Sequence, residues 1–142
     1  DNIKQALLGQ YSNLLQQNLY KVQFIQHDAS IINAQIVFNP EHIIFDGHFP
    51  QQAVVPGVCM MEITKELIEQ SFSLNARLTE AIQVKFLQLL IPQKETVIDI
   101  KIQYQVSSDN PTIITVQSDW KNAAHFVMKM QRKYIVEEGN IN

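Results

Sequence analysis

Two side chains that can exchange protons occur near one another in the middle of the sequence. His48 and Glu62 are fourteen positions apart, in a stretch (46–62) that also holds the single cysteine and two of the five prolines. A neutral histidine can act as a general base near pH 7. A glutamic acid can donate a proton at that pH only if its pKa is raised, and the apolar neighbours of Glu62 predict partial desolvation. These two residues are the candidate acid–base pair.

Each residue of this stretch also has an ordinary interpretation. Glu62 could belong with Lys65 and Glu66, three and four residues on, to a charged cluster on a helix surface. A histidine in a loop is commonly a solvated side chain. Cys59 has no histidine close in sequence, and buried cysteines commonly pack in the core, so a nucleophilic role is not expected for it.

Composition limits the class of protein. The chain has 142 residues, 46% of them hydrophobic and 18% charged, which predicts one globular domain spanning residues 1–142. A net charge of −3 does not favour nucleic-acid binding. No apolar run reaches the roughly 20 residues that span a bilayer, and the first residues do not have the pattern expected of a signal peptide. We therefore expect a cytoplasmic protein with neither nucleic-acid nor membrane-spanning function. The spacing of His42, Asp46 and His48 does not match a metal site, and no metal is expected.

The first half of the chain changes its periodicity twice before the central stretch. Residues 3–18 have apolar side chains three and four apart, which predicts an amphipathic helix or helical turns. Residues 20–25 alternate, with Val22 and Phe24 expected on one face. Residues 31–38 alternate again and end at Asn39-Pro40, because proline cannot donate a hydrogen bond to a sheet.

The second half predicts the main elements of the fold. Residues 41–55 are expected to form a loop, and residues 56–72 a helix that begins at a proline. Its apolar face consists of Cys59, Met60, Ile63 and Leu67. Later segments predict strands at 78–91, 96–106, 114–120 and 126–136. Short turns between these strands require antiparallel neighbours, so the fold class is α+β, with one antiparallel sheet around one central helix.

The central stretch resembles the signature of the FabZ-type (3R)-hydroxyacyl-[acyl-carrier-protein] dehydratases. Their pattern is GHFP, then PGV, then a glutamate near the start of the central helix. It stands here as Gly47-His48-Phe49-Pro50, Pro56-Gly57-Val58 and Glu62. The resemblance is strong over this stretch and loose elsewhere. It implies the hotdog fold, a curved antiparallel sheet wrapped around one long helix, which agrees with the architecture predicted from periodicity.

The resemblance also implies a function. Members of this family dehydrate (3R)-hydroxyacyl-[acyl-carrier-protein] to the trans-2-enoyl thioester in fatty-acid or related acyl-chain biosynthesis, without a cofactor. His48 would be the base, Glu62 the acid, and the backbone N–H of Gly57 the donor to the thioester carbonyl. Acyl-carrier protein would deliver the substrate. A homodimer, alone or as a trimer of dimers, would place His48 of one subunit beside Glu62 of the other.

Several positions depart from the family pattern. Gln51 and Ala53, on either side of Gln52, replace a glycine and a proline, and Cys59 replaces a usual leucine. These positions are where substrate preference is expected to differ. A hotdog acyl thioesterase and a non-catalytic domain that binds acyl groups or carrier protein are the alternatives. A basic patch for carrier protein would draw on Arg77, Lys129, Arg132 and Lys133.

Overall fold

One long helix and one sheet make up the structure, a computed structural model that describes residues 11–46, 53–93 and 95–138. Six strands form an antiparallel sheet in the order β1-β2-β4-β5-β6-β3. The strands are β1 (Tyr20–Asp28), β2 (Ile31–Phe38), β3 (Asn75–Phe86), β4 (Val97–Val106), β5 (Ile113–Asn122) and β6 (His125–Glu137). The helix α1 (Gly57–Phe72) lies between β2 and β3 in sequence, after a short 3-10 turn (Ile43–Phe45).

The core lies between α1 and the concave face of the curled sheet. The buried face of α1 consists of Cys59, Met60, Ile63, Thr64, Leu67 and Ile68, which includes the whole predicted apolar face. The sheet contributes inward side chains from β2, β4, β5 and β6, among them Ile32, Ile36, Ile98, Ile102, Val116, Trp120 and Met128. The predicted α+β class with a sheet around one central helix is confirmed.

Local chemistry defines both ends of α1 and ties it to the sheet. Pro56 is the N-cap, with an extended backbone, and Ser73 adopts the left-handed conformation at the C-cap, where its N–H donates to the carbonyl of Glu69. Inside the core, the Trp120 indole N–H donates to the Thr64 hydroxyl at 3.0 Å. A buried polar pair of this kind orients the helix against β5, because an unpaired partner would lose its hydration without compensation.

The structure differs from the sequence prediction in the segment before the first strand and within that strand. Of the predicted helical segment, residues 3–10 lie outside the described ranges and residues 11–18 form turns. The prediction that Val22 and Phe24 lie on the same face of β1 is wrong. A β-bulge between these residues reverses the alternation, so Phe24 is 45% exposed and Ile25 packs against the core instead.

Strand β3 ends five residues earlier than the alternation predicts. Beyond Phe86 the chain leaves the ladder, because the amides of Leu87 and Gln88 both point to the carbonyl of Val127. The N–H of Val55 then donates to the carbonyl of Leu90. This hydrogen bond attaches the irregular segment after β3 to the residues that lead into α1. The segment therefore packs beside the start of the helix instead of extending the sheet.

The two edges of the sheet are β1 and β3, and β3 is the apolar one. Leu78, Ile82 and Phe86 of β3 are 41%, 42% and 51% exposed. A long edge strand with exposed apolar side chains is a surface on which another chain can pair. Among the helices of the described ranges, none has both the length and the apolar character to cross a bilayer.

Candidate active site

Glu62 lies on the face of α1 next to the core face, and its carboxyl is largely shielded from water. The side chain is 14% exposed. Its Oε2 atom is buried and has no hydrogen-bond partner among the residues that the structure describes. Lys65 Nζ is 3.3 Å from this oxygen, within ion-pair distance but without the angles of a hydrogen bond. The carboxyl is thus close to the positive charge of Lys65, and its buried oxygen accepts no hydrogen bond from the described residues.

These surroundings favour the protonated form of Glu62. Burial, with the nearby Glu66 carboxylate, raises its pKa to about 7, although the positive charge of Lys65 acts in the opposite direction. A carboxylic acid with such a pKa still carries its proton in a good fraction of molecules at neutral pH. The sequence-based expectation of a raised pKa for this residue agrees with its environment.

A cavity of about 380 Å³ opens beside this carboxyl. Its apolar walls are Val58 and Met61 of α1 and Leu78 of the edge strand β3. The remaining lining residues are Tyr11, Ser12, Glu62, Lys65, Arg132 and Tyr134. A mostly apolar cavity lined by a few polar groups is typical of a site for an acyl chain whose reactive end is oxygen-rich.

Gly57 is the first residue of α1, where backbone N–H groups have no acceptor within the helix. The Phe86 ring lies directly over its Cα. A Cβ built on Gly57 would come within 2.5 Å of that ring, so any larger residue would displace Phe86. Glycine here permits the close approach of β3 to the helix start, and leaves the N–H at the positive end of the helix dipole.

The predicted site residues are only partly covered by the described ranges. Gly47, His48, Phe49 and Pro50 lie outside those ranges, as do Gln51 and Gln52, so the pairing of His48 with Glu62 stays a prediction. Within the described part, the structure brings Val58 and Glu62 to one cavity. Pro56 caps the same helix and Gly57 begins it.

Residues weighed as alternatives have structural roles. Cys59 is buried, and burial raises the pKa of its thiol to about 12, so it is a poor nucleophile at neutral pH. The His42 ring accepts a hydrogen bond from the amide of Ile44 at 3.0 Å and caps the 3-10 turn. Met60 and Met128 are core residues, whereas Met61 lines the cavity.

Sequence reasoning did not place three residues around Glu62, namely Glu66, Arg132 and Tyr134, although Glu66 and Arg132 were considered in other roles. Glu66, one turn further along α1, accepts hydrogen bonds from the amides of Leu14 and Leu15 at 2.8 and 2.9 Å, and from the Tyr20 hydroxyl at 3.0 Å. The sequence around Glu66 does not predict these hydrogen-bond donors.

The other two residues, Arg132 and Tyr134, project from β6 into the cavity. Their signal was present in the sequence, because they continue the inward alternation of Met128 and Met130. Arg132 thus faces the inside of the fold, and does not belong to an outward basic patch. Arg77 and Lys133 do face outward, where each lies near a glutamate of a neighbouring strand.

The sequence profile of the ApeI-like family, described as ApeI dehydratase, matches residues 24–125, a range that includes Glu62 and the whole motif. The chain belongs to the ApeI-like dehydratase family. This agrees with the resemblance to hotdog dehydratases found from the motif. No curated protein sequence matches the chain.

Solved structures with the same hotdog fold include dehydratases and thioesterases. The dehydratase heterocomplex ApeI:P from Xenorhabdus doucetiae matches with 19% identity and a TM-score of 0.64, over 81% of this chain and 96% of that chain. E. coli PaaI, from a phenylacetic acid degradation operon, matches with 10% identity and a TM-score of 0.64, over 96% and 93%. A hypothetical thioesterase with coenzyme A from Streptococcus pneumoniae TIGR4 matches with 13% identity and a TM-score of 0.55, over 84% and 91%. At these identities the likeness concerns the fold alone.

Proposed function

We propose that this ApeI-like protein dehydrates (3R)-hydroxyacyl-[acyl-carrier-protein] to the trans-2-enoyl thioester, in fatty-acid or related acyl-chain biosynthesis. The observation that carries the proposal is the carboxyl of Glu62. It is buried, it has an oxygen without a hydrogen bond among the described residues, and burial raises its pKa to about 7 beside an apolar cavity. Those are the properties that a general acid requires at neutral pH.

The reaction removes a proton from C2 and expels the hydroxyl from C3 as water. Neutral His48 takes the C2 proton, and protonated Glu62 gives its proton to the departing oxygen. The electron pair released at C2 forms the new double bond as the C3–O bond breaks. The backbone N–H of Gly57, at the positive end of α1, binds the thioester oxygen and stabilises the negative charge that develops there. These steps need no cofactor.

The apolar edge strand supports a dimer with the active site at the subunit boundary. Leu78 both lines the cavity of Glu62 and belongs to the exposed apolar edge with Ile82 and Phe86. Pairing of two β3 strands would cover this edge and close the cavity. His48 of one subunit would then act with Glu62 of the other. A heterocomplex, in which a different chain covers the β3 edge, is the alternative assembly, since the similar Xenorhabdus structure is a dehydratase heterocomplex.

The activity is tested by incubating the protein with 3-hydroxyacyl-acyl-carrier protein and following enoyl product and free thiol separately. Enoyl product without free thiol is expected. Free thiol without enoyl product would replace the proposal with a thioesterase, and neither product would favour a binding domain.

Assembly is tested by mixing two inactive variants. His48→Ala and Glu62→Gln should each lose dehydration, and their mixture should regain part of it, because a heterodimer restores one complete site. Light scattering of the wild-type protein and of Ile82→Lys gives the oligomeric state independently. A monomeric wild type with full activity would contradict a site shared between subunits.

A further inference from the structure

The cavity beside Glu62 contains a second buried polar group whose partner is missing. The Tyr134 side chain is 1% exposed, and its hydroxyl has no hydrogen-bond partner among the residues that the structure describes. The same holds for Nε of Arg132 and for Oε2 of Glu62, and all three residues line one cavity. Leaving a buried donor unpaired costs about 1–3 kcal/mol, so several at one place indicate a site built for an external partner.

The position of the two β6 residues reinforces this interpretation. Arg132 and Tyr134 follow Met128 and Met130 on the inner face of the strand, where the other side chains are apolar. Across the sheet, Arg132 is paired with Val116 of β5, which offers its guanidinium no acceptor side chain. A charged side chain on the concave face of a sheet destabilises the fold unless it has a partner. A ligand oxygen in the cavity would supply one.

We propose that the Tyr134 hydroxyl donates a hydrogen bond to the C3 oxygen of the substrate, with Arg132 beside it as a positioning residue. The inference rests on the proposed dehydration and names the residue that holds the leaving group. A C3 hydroxyl oxygen has two lone pairs. One accepts the proton of Glu62 and the other accepts the Tyr134 hydrogen bond, so the two donors converge on one atom.

The chemistry of each group suits that role. Burial, and to a lesser degree the nearby Glu62, raises the pKa of Tyr134, so the phenol remains a neutral donor, although the adjacent Arg132 guanidinium, which approaches the hydroxyl without the geometry of a hydrogen bond, acts in the opposite direction. As the C3–O bond breaks, negative charge grows on the departing oxygen. The Arg132 guanidinium stabilises that charge through the polarised phenol without itself giving up a proton, because it stays charged. The apolar walls of Val58, Met61 and Leu78 then receive the acyl chain beyond C3.

A binding measurement tests the contact directly. Two pantetheine thioesters are compared, 3-hydroxyhexanoyl and hexanoyl, which differ only in the C3 hydroxyl. The background is His48→Ala, so that the hydroxy compound is not consumed. The protein should bind the hydroxy compound about tenfold more tightly, and adding Tyr134→Phe should abolish that preference while leaving hexanoyl binding unchanged.

Tyr104→Phe is the matched control, because its hydroxyl bonds to the Ala29 carbonyl and to the His27 ring, away from the cavity. Tyr104→Phe should keep the hydroxyl preference and lower the melting temperature. Tyr134→Phe should keep or raise the melting temperature, since its hydroxyl has no hydrogen bond with the described residues to lose. In turnover, Arg132→Lys should retain more of kcat than Arg132→Gln, with KM little changed in either.

Retention of the hydroxyl preference in Tyr134→Phe would overturn the proposal, as would equal loss of affinity for both thioesters or failure of both to bind. The outcome is separable from that of the proposed function. If the wild type makes no enoyl product but Tyr134→Phe still removes the hydroxyl preference, dehydration is wrong and the contact is supported. If dehydration occurs and the preference survives, the contact is wrong.

Discussion

Glu62 and Glu66 lie one turn apart on α1, and their carboxyl groups have opposite surroundings. Glu66 accepts three hydrogen bonds, from two backbone amides and the Tyr20 hydroxyl, which attach residues 14–20 to the helix. Glu62 has a buried oxygen with no hydrogen bond in the described part of the chain, and faces a cavity instead. The same side chain on the same helix thus serves structure in one turn and is available for chemistry in the next. Hydrogen-bond donors, not residue type, make the difference.

The largest expected effect is on turnover. Replacing Glu62 with Gln preserves the shape of the side chain but removes its transferable proton, so dehydration should fall by about 10²–10⁴-fold. Steady-state assay of enoyl formation measures this, with circular dichroism to show that the fold is intact. Glu66→Gln is the paired variant and should keep most of the activity. Equal losses in the two variants would erase the functional distinction between the two glutamates.

The next effect concerns stability, for which Glu66 is expected to matter more than Glu62. Glu66→Ala leaves the amide of Leu14 and the Tyr20 hydroxyl without their acceptor, so the free energy of unfolding should fall by about 2–3 kcal/mol. Urea denaturation followed by tryptophan fluorescence measures it. Glu41→Ala, at an exposed position, is the control and should change little. A loss in Glu66→Ala no greater than the control's would show that this carboxylate does not secure the preceding segment.

Glu62 should also make stability depend on pH. Its pKa in the folded protein is about 7, against 4.5 as the reference value, so between these pH values the unfolded chain releases this proton first. Stability from this group is therefore present at low pH and falls as pH rises through that window, by on the order of 1–2 kcal/mol after allowance for solvent screening. Glu62→Gln should flatten that part of the stability curve. Parallel curves for the wild type and the variant would mean that the folded pKa is not raised.

The smallest effect is on the pH profile of the reaction. Lys65 lies 3.3 Å from Glu62 and 3.7 Å from Glu69, and its charge lowers the pKa of Glu62, whereas Glu66 raises it. In Lys65→Gln the alkaline limb of kcat against pH should move up, and in Glu66→Gln down, each by less than about one pH unit. If the alkaline limb moved in the same direction in both variants, it would report the titration of a group other than Glu62.

Much of the fold was accessible from sequence because its signals are local. The alternation of 31–38 predicted β2 with its observed bounds, and the apolar spacing after Pro56 predicted the buried face of α1. Where the prediction failed, a longer-range contact decided the outcome. The bulge in β1 after Val22 depends on its register with β2, and β3 ends where the amides of Leu87 and Gln88 turn to β6.

The candidate site also contains residues that the local sequence predicted and residues that only the tertiary structure brought together. A short motif predicted Glu62, Gly57 and Val58 as site residues, and their roles, like that of His48, stay predictions. Arg132 and Tyr134 are seventy or more positions from Glu62 in sequence, and only the folding of β6 across the sheet places them in the same cavity. Periodicity could have flagged Arg132 as a charged residue in an inward register, but it could not have named its neighbours.

The sequence by itself determined the family, the α+β class and the residue type at the acidic position, because motif spacing and hydrophobic periodicity are properties of neighbouring residues. The tertiary structure decided which of two glutamates one turn apart is held by hydrogen bonds and which is left with a raised pKa. That choice depends on donors from residues 14, 15 and 20 reaching one carboxylate and not the other. Such donors are brought together only when the sheet closes around the helix.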